Sequence, residues 1–163
     1  MRFCINCGAP LVLKETDHKQ RPYCPRCDSV HYEQLKVGVG ALIEWDKRVL
    51  LLQRTEAPFA NCWNLPAGYV EVDESPIQAV IREVLEEVGL QAHVTELADV
   101  YFFDDDPRGN GILIVYRCVV TEGTMTESDE ATAPTLFASQ DIPPNVAGGG
   151  HNQAIDAWRE LHA

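Results

Sequence analysis

Residues 68–90, GYVEVDESPIQAVIREVLEEVGL, constrain this chain more than any other stretch, because they specify a loop, a helix and the junction between them. Ser75 is a strong N-cap residue. Pro76 suits a first-turn position whose N–H has no intrahelical partner, and Gln78 can return a capping-box hydrogen bond. A helix is therefore predicted from about Ser75. Ile77, Val80, Ile81, Val84, Leu85 and Val88 recur at three- and four-residue intervals, which gives one apolar stripe for a core. Gly89 then suits a left-handed C-cap. On the other face Glu83, Glu86 and Glu87 point the same way. Their repulsion raises carboxylate pKa values and weakens the helix unless a cation intervenes, and hard oxygen donors of this kind suit Mg²⁺ or Mn²⁺. Taken alone, REVLEE reads better as a solvated acidic face with Arg82 and Glu86 as an ordinary surface pair.

The surrounding residues change that balance. Gly68, Glu74, Arg82, Glu83, Val84, Glu86, Glu87, Gly89 and Leu90 fill every fixed position of a glycine, any five, Glu, any seven, Arg-Glu-apolar-any-Glu-Glu-any-Gly-apolar. From about Val37 onward the chain thus resembles the Nudix hydrolase family. The resemblance implies an α/β fold, an α/β/α sandwich on a mixed β-sheet. It also implies cleavage of a diphosphate with Mg²⁺ or Mn²⁺. Glu83, Glu86 and Glu87 would hold the metals, with the carbonyl of Ala67 as a further ligand. Arg82 would orient Glu83, and Glu74 would support the loop and helix or join the metals through water. Such cations neutralise the anionic oxygens and acidify the attacking water, and a glutamate takes its proton. That base is either a glutamate of the motif or one on a later loop, for which Glu130 in TESDEA is the candidate; a solvated loop acid is the other reading of Glu130.

Cys4, Cys7, Cys24 and Cys27 form two Cys-x-x-Cys knuckles separated by sixteen residues. Four thiolates at this spacing can close a tetrahedral, structural Zn²⁺ site. Residues 1–34 therefore look like a zinc ribbon, pinned by metal because so short a segment cannot bury enough core, and residues 35–163 form the Nudix domain. A disulfide or a redox Cys-x-x-Cys fits less well without signs of an oxidising compartment or a βαβ unit. Cys62 and Cys118 read as small buried apolar residues. VGVGALIE, RVLLLQR and QAHVTELADVYFF are predicted strands, and GILIVYRCVV a strand buried on both faces. ATAPTLFASQDIP reads as a short strand entering a turn. After a glycine break, HNQAIDAWRELH is a helix with Ile155, Trp158 and Leu161 on one face.

At 163 residues and 45% apolar content the chain can build a proper core. No apolar run reaches bilayer length, and MRFCINCG lacks the basic start and apolar centre of a secretory signal, so no membrane contact and a cytoplasmic location are expected. A net charge of −12 argues against a broad nucleic-acid surface. A small nucleotide must instead be recruited by metals and a few local cations. Arg54 and Arg108 are candidates for its phosphates, with unengaged surface arginines as the alternative. Tyr69 and Tyr101 are candidates to stack on an adenine or flavin ring.

A zinc ribbon ahead of this motif occurs in two branches of the family. NADH pyrophosphatases, which include enzymes acting on nicotinamide-capped RNA, carry an SQPWPFPxS signature after the motif. This chain has DDDPRGNGILIVY there, and resembles more the ADP-ribose or FAD pyrophosphatase-like branch. The expected products are AMP and a phosphorylated second half. The alternatives are the NADH or capped-RNA activity, or a nucleotide-binding adaptor without catalysis; retention of Arg82, Glu83, Glu86 and Glu87 speaks against the adaptor. The family resemblance also allows a homodimer.

Overall fold

The computed structural model of the chain describes residues 2–129 and 131–162, so Glu130 lies outside the described residues. Two compact units emerge, Met1–Gln34 and Leu35–Ala163.

In the first unit, strands β1 (Val12–Thr16), β2 (Lys19–Cys24) and β3 (Ser29–Val30) form an antiparallel sheet in that order. Asp17 and His18, both at positive φ, make the tight β1–β2 turn. Among the described residues of this unit only Cys4 and Cys24 are buried. Apolar burial therefore contributes little here, and the cysteine cluster must supply the cohesion.

In the second unit the burial pattern of two adjacent strands dictates a sandwich. Strand β4 (Lys36–Trp45) and strand β5 (Arg48–Arg54) are apolar on both faces. Val39, Ala41 and Ile43 of β4, with Leu50 and Leu52 of β5, pack on one side with helix α1 (Pro76–Val88). Leu42, Val49 and Leu51 pack on the other with helix α2 (His151–Leu161), whose Ile155 and Trp158 are fully covered. Alternating side chains thus serve two cores, as a sheet covered on both faces requires. Strands β6 (Trp63–Asn64) and β7 (Ala67–Tyr69) pair with β5 and β4. Strands β8 (Leu90–Phe103), β9 (Gly111–Gly123) and β10 (Ala131–Phe137) complete the order β10-β5-β4-β9-β8. The β4–β9 pairing is parallel and the others antiparallel, so the sheet is mixed. This is an α/β/α sandwich.

Helix α1 has the ends its residues specify. The Ser75 hydroxyl accepts from the Gln78 N–H at 3.3 Å, Gln78 Oε1 accepts from the Ser75 N–H at 2.9 Å, and Gly89 closes the helix at φ 69°. The buried stripe is narrower than the periodicity predicts. Val80, Val84 and Val88 are covered, together with Ala79 and Glu87, whereas Ile77 and Leu85 are about half exposed. The helix is rolled so that Ala79 and Glu87, on the flank away from Leu85, turn inward, while Ile77 lies in the exposed first turn. One other expectation needs correction: Leu161 is largely exposed at the end of α2, while Ile155 and Trp158 are buried. Strand β9 serves both cores as expected, with Leu113 and Val115 on the α2 side and Cys118, flanked by Ile114 and Tyr116, on the α1 side. Cys118 is buried as expected, but Cys62 is only partly covered. Among the described residues no helix is long and apolar enough to cross a membrane.

Candidate functional site

A cavity of about 350 Å³ in the second unit lies where β7, α1 and the segment before α2 converge. Gly68 and Ala67 of β7 form part of its wall, and Glu83 and Glu87 of α1 face it. The loop and helix meet closely. A Cβ built on Gly68 would fall 2.0 Å from Glu83 Oε1 and 2.5 Å from Oε2, so glycine at this position is what lets the carboxylate lie against the strand. Glu87, only 7% exposed, accepts from the Ala67 N–H at 2.8 Å. Two carboxylates four residues apart on α1 are thus fixed against consecutive residues of β7.

Arg82 holds this arrangement together from behind. Its guanidinium donates to both oxygens of Glu74, to Glu83 Oε1 at 2.7 Å, to Glu86 Oε2 at 3.0 Å and to the Tyr69 carbonyl at 3.1 Å. The Arg82 hydrogen bonds hold the Glu74 carboxyl below its ordinary range, helped by the Glu71 N–H, while Glu74 raises Arg82 further above its own. Neither Arg82 nor Glu74 lines the cavity, and Glu86 is mostly exposed on the outer side of the guanidinium. Among the described residues the only group of three or more His, Cys, Asp or Glu side chains placed, as it stands, to hold a metal ion is the four cysteines.

Arg54, at the end of β5, and Arg108, in the β8–β9 loop, both line the cavity. Arg108 is set rigidly by Asp106, which accepts from its Nε at 3.0 Å and from its Nη2 at 2.7 Å. That fork holds the buried Asp106 carboxyl below the usual range, against the opposing effect of burial. Tyr69 also lines the cavity, with Lys36 Nζ 5.6 Å and Arg108 Cζ 5.7 Å from its ring centroid. Tyr101 does not line it and packs against the core beneath α2. Among the wall residues that the sequence reading did not single out are Asp106 and His151. Asp106 was signalled only by its position two residues before Arg108. His151 was signalled only by three glycines followed by a polar residue at a helix start.

In the first unit Cys4, Cys7, Cys24 and Cys27 place their sulfur atoms within 4.8 Å of one another. The Cys4–Cys27 and Cys7–Cys24 separations are 3.9 and 3.6 Å. These are far from a disulfide bond of about 2.05 Å. They match the edge, about 3.8 Å, of a tetrahedron with Zn–S bonds of about 2.3 Å.

Residues 34–156 match the family model described as NUDIX domain, and residues 2–33 match the zinc-ribbon model described as Nudix N-terminal. The chain is similar to the ADP-ribose pyrophosphatase of Methanocaldococcus jannaschii, at 40% identity over 108 residues, 66% of this chain and 64% of that protein. It is also similar to the NAD-capped RNA hydrolase NudC of Pseudomonas aeruginosa, at 29% identity over 146 residues, 88% of this chain and 50% of that protein. The chain thus spans about half to two thirds of the length of these curated relatives. A NUDIX hydrolase from Nitrosomonas europaea, solved by crystallography, has a TM-score of 0.84 and 31% identity, over 98% of this chain and 91% of that one. With both units matched, the second by a domain whose signature residues line and brace the cavity, the chain belongs to the Nudix hydrolase family and carries that family's N-terminal zinc ribbon.

Proposed function

We propose that the second unit hydrolyses the diphosphate of a nucleoside diphosphate linked to another moiety, ADP-ribose or an FAD-like compound, giving AMP and a phosphorylated second product. The observation that carries this reading is the contact of Gly68 with Glu83, which sets a carboxylate on the wall of a cavity that also holds Glu87, Arg54 and Arg108. Carboxylates and a carbonyl are the hard oxygen donors that Mg²⁺ or Mn²⁺ prefers, so the residues present fit such an ion. Glu83 and Glu87, with Glu86, would hold it, aided by the Ala67 carbonyl and by Glu74. When bound, a divalent cation neutralises diphosphate oxygens and lowers the pKa of water.

The chain's own residues do the rest. Arg82 fixes the rotamer of Glu83, and Glu83, or Glu130 on the later loop, takes the proton from the attacking water. The water oxygen bonds to one phosphorus, the bridging P–O bond breaks, and the bridging oxygen leaves with the other phosphate. Arg108, anchored by Asp106, is pre-set to bind a phosphate oxygen at little entropic cost. Tyr69, beside it, offers a ring for a base. The four cysteines of the first unit would hold a structural Zn²⁺, and four reduced thiols suit a reducing compartment such as the cytoplasm.

Similarity to the NudC relative over both units supports a second reading, hydrolysis of NADH or NAD-capped RNA. A Mg²⁺-supplemented panel of ADP-ribose, FAD, NADH and NAD-capped RNA decides between them. AMP release fastest from ADP-ribose or FAD is the expected result; preference for capped RNA supports the second reading, and no release from any member overturns both.

A further inference from the structure

The cavity has a polar wall that neither the signature nor the proposed metal site uses. His151 lines it, is 8% exposed, and its Nδ1 is enclosed without a hydrogen-bond partner. Arg54 lines the same cavity, and its Nε is likewise enclosed and unpartnered. An unmatched buried polar group is costly, and two beside one cavity, both closed to water, favour a ligand toward which these side chains can turn.

Strand β6 explains why the two residues meet. Trp63 pairs with Gln53, the residue before Arg54, and the Arg54 N–H donates to the Cys62 carbonyl. On its other side Trp63 exchanges backbone hydrogen bonds with Asn145 and Ala147, just before the glycines that lead to His151. One short strand therefore carries Arg54 on one edge and the approach to His151 on the other. Gly149 and Gly150 adopt positive φ, and the Gly149 N–H is held by Asp105 at 2.9 Å. His151 starts α2, and Gly150 gives that helix no side-chain cap. The positive end of the helix dipole thus adds to the Arg54 charge at this wall. Burial, and then the Arg54 charge, push His151 down to about 3, so the ring is neutral near pH 7 and can donate from Nδ1 in one tautomer.

We propose that Arg54 and His151 form a phosphoryl-oxygen subsite at the start of α2, in which one phosphate oxygen of the substrate accepts from the Arg54 guanidinium and from the His151 ring. An anion suits this wall better than a neutral hydroxyl, because it also answers the guanidinium charge and the helix dipole. The subsite deepens the diphosphate reading and rests on it for its physiological ligand. Its ability to bind phosphate does not depend on turnover.

The first arm of the test therefore uses inorganic phosphate as the probe on the full chain labelled with ¹⁵N-histidine. His151 is assigned by His151→Leu, and chloride at equal ionic strength is the control. A saturable shift of the His151 ring nitrogens in the wild type, absent in Arg54→Gln, is expected. No saturable shift, or the same shift in Arg54→Gln, overturns the proposal. The second arm follows kinetics on the best substrate of the panel. His151→Leu should raise KM about tenfold with kcat within about threefold, and the Arg54→Gln, His151→Leu double variant should lose less than the product of the single losses. An unchanged KM, or losses that multiply fully, overturns the pairing. If no panel member is hydrolysed, the diphosphate reading fails while the phosphate titration still judges the subsite.

Discussion

Substituting Gly68 by alanine separates stability from chemistry at this site. The added Cβ would lie 2.0, 2.2 and 2.5 Å from Glu83 Oε1, Cδ and Oε2. Non-bonded heavy atoms settle at about 3.5 Å or beyond, so the carboxylate must retreat by more than about 1 Å. The atoms in the way are the free end of a flexible side chain, so the backbone need not move. What is lost in the folded state is the 2.7 Å bond from Arg82 to Glu83. A charge-assisted bond contributes about 1.5–3 kcal/mol when buried, but Arg82 is 31% exposed and keeps its Glu74 and Glu86 partners, so the net cost is about 1 kcal/mol. Loss of glycine's unfolded-state freedom offsets part of that. The expected change in Tm is about 2–4 °C or less. Catalysis should suffer far more, because displacing a reacting group by about 1 Å costs on the order of a hundredfold. AMP release from saturating ADP-ribose with Mg²⁺, measured beside thermal unfolding, tests the split. A Gly68→Ala protein with activity within about threefold of wild type would refute the claim that Gly68 places Glu83.

Further predictions follow from the same geometry. Glu87→Gln keeps an oxygen for the Ala67 N–H but removes the charge, so kcat/KM should fall about a hundredfold or more with Tm nearly unchanged; a loss that tracks Tm would instead make Glu87 a packing residue. Purified protein should contain about one Zn²⁺ per chain, lost in Cys24→Ser, with β1–β3 exchanging their amides far faster by hydrogen–deuterium exchange while β4 and β5 stay protected; metal analysis that finds no zinc in the wild type removes the structural role. His151 gives a pH dependence of defined sign. Its folded pKa of about 3 lies below the ordinary value of 6.5, so between these pH values the unfolded chain binds a proton that the folded chain does not. Stability therefore falls as pH falls from 6.5, by about 2 kcal/mol on reaching pH 5. Glu74 and Asp106, whose carboxyls are depressed, contribute loss only at more acidic pH, below about 4. Urea midpoints at pH 7 and pH 5 should thus differ in the wild type and differ less in His151→Leu; equal pH slopes in the two proteins would show that His151 is not buried neutral.

How legible a residue was depended on the distance over which its signal acts. Ser75, Gln78 and Gly89 declare the ends of α1 through interactions that close within four residues, and their geometry could be read directly. The paired faces of β4 and β5 were legible as apolar runs, although which residue faces which helix depends on a register that only pairing fixes. Leu85 shows where periodicity stops being informative. It belongs to the apolar stripe, yet lies half exposed, because the roll of α1 is set by packing on the sheet and by the pull of the Ala67 N–H on Glu87. A seven-residue window weighs hydrophobicity and cannot weigh a hydrogen bond to a strand twenty residues away. His151 lies further still from any local signal. Its place on the cavity wall depends on β6 bridging Gln53 to residues 145–147, almost a hundred positions apart, and nothing in GGGHNQ records that pairing. The motif was readable because family chemistry confines its carboxylates to one helix and one loop, whereas the phosphate-facing wall is assembled by topology from residues with no shared periodicity.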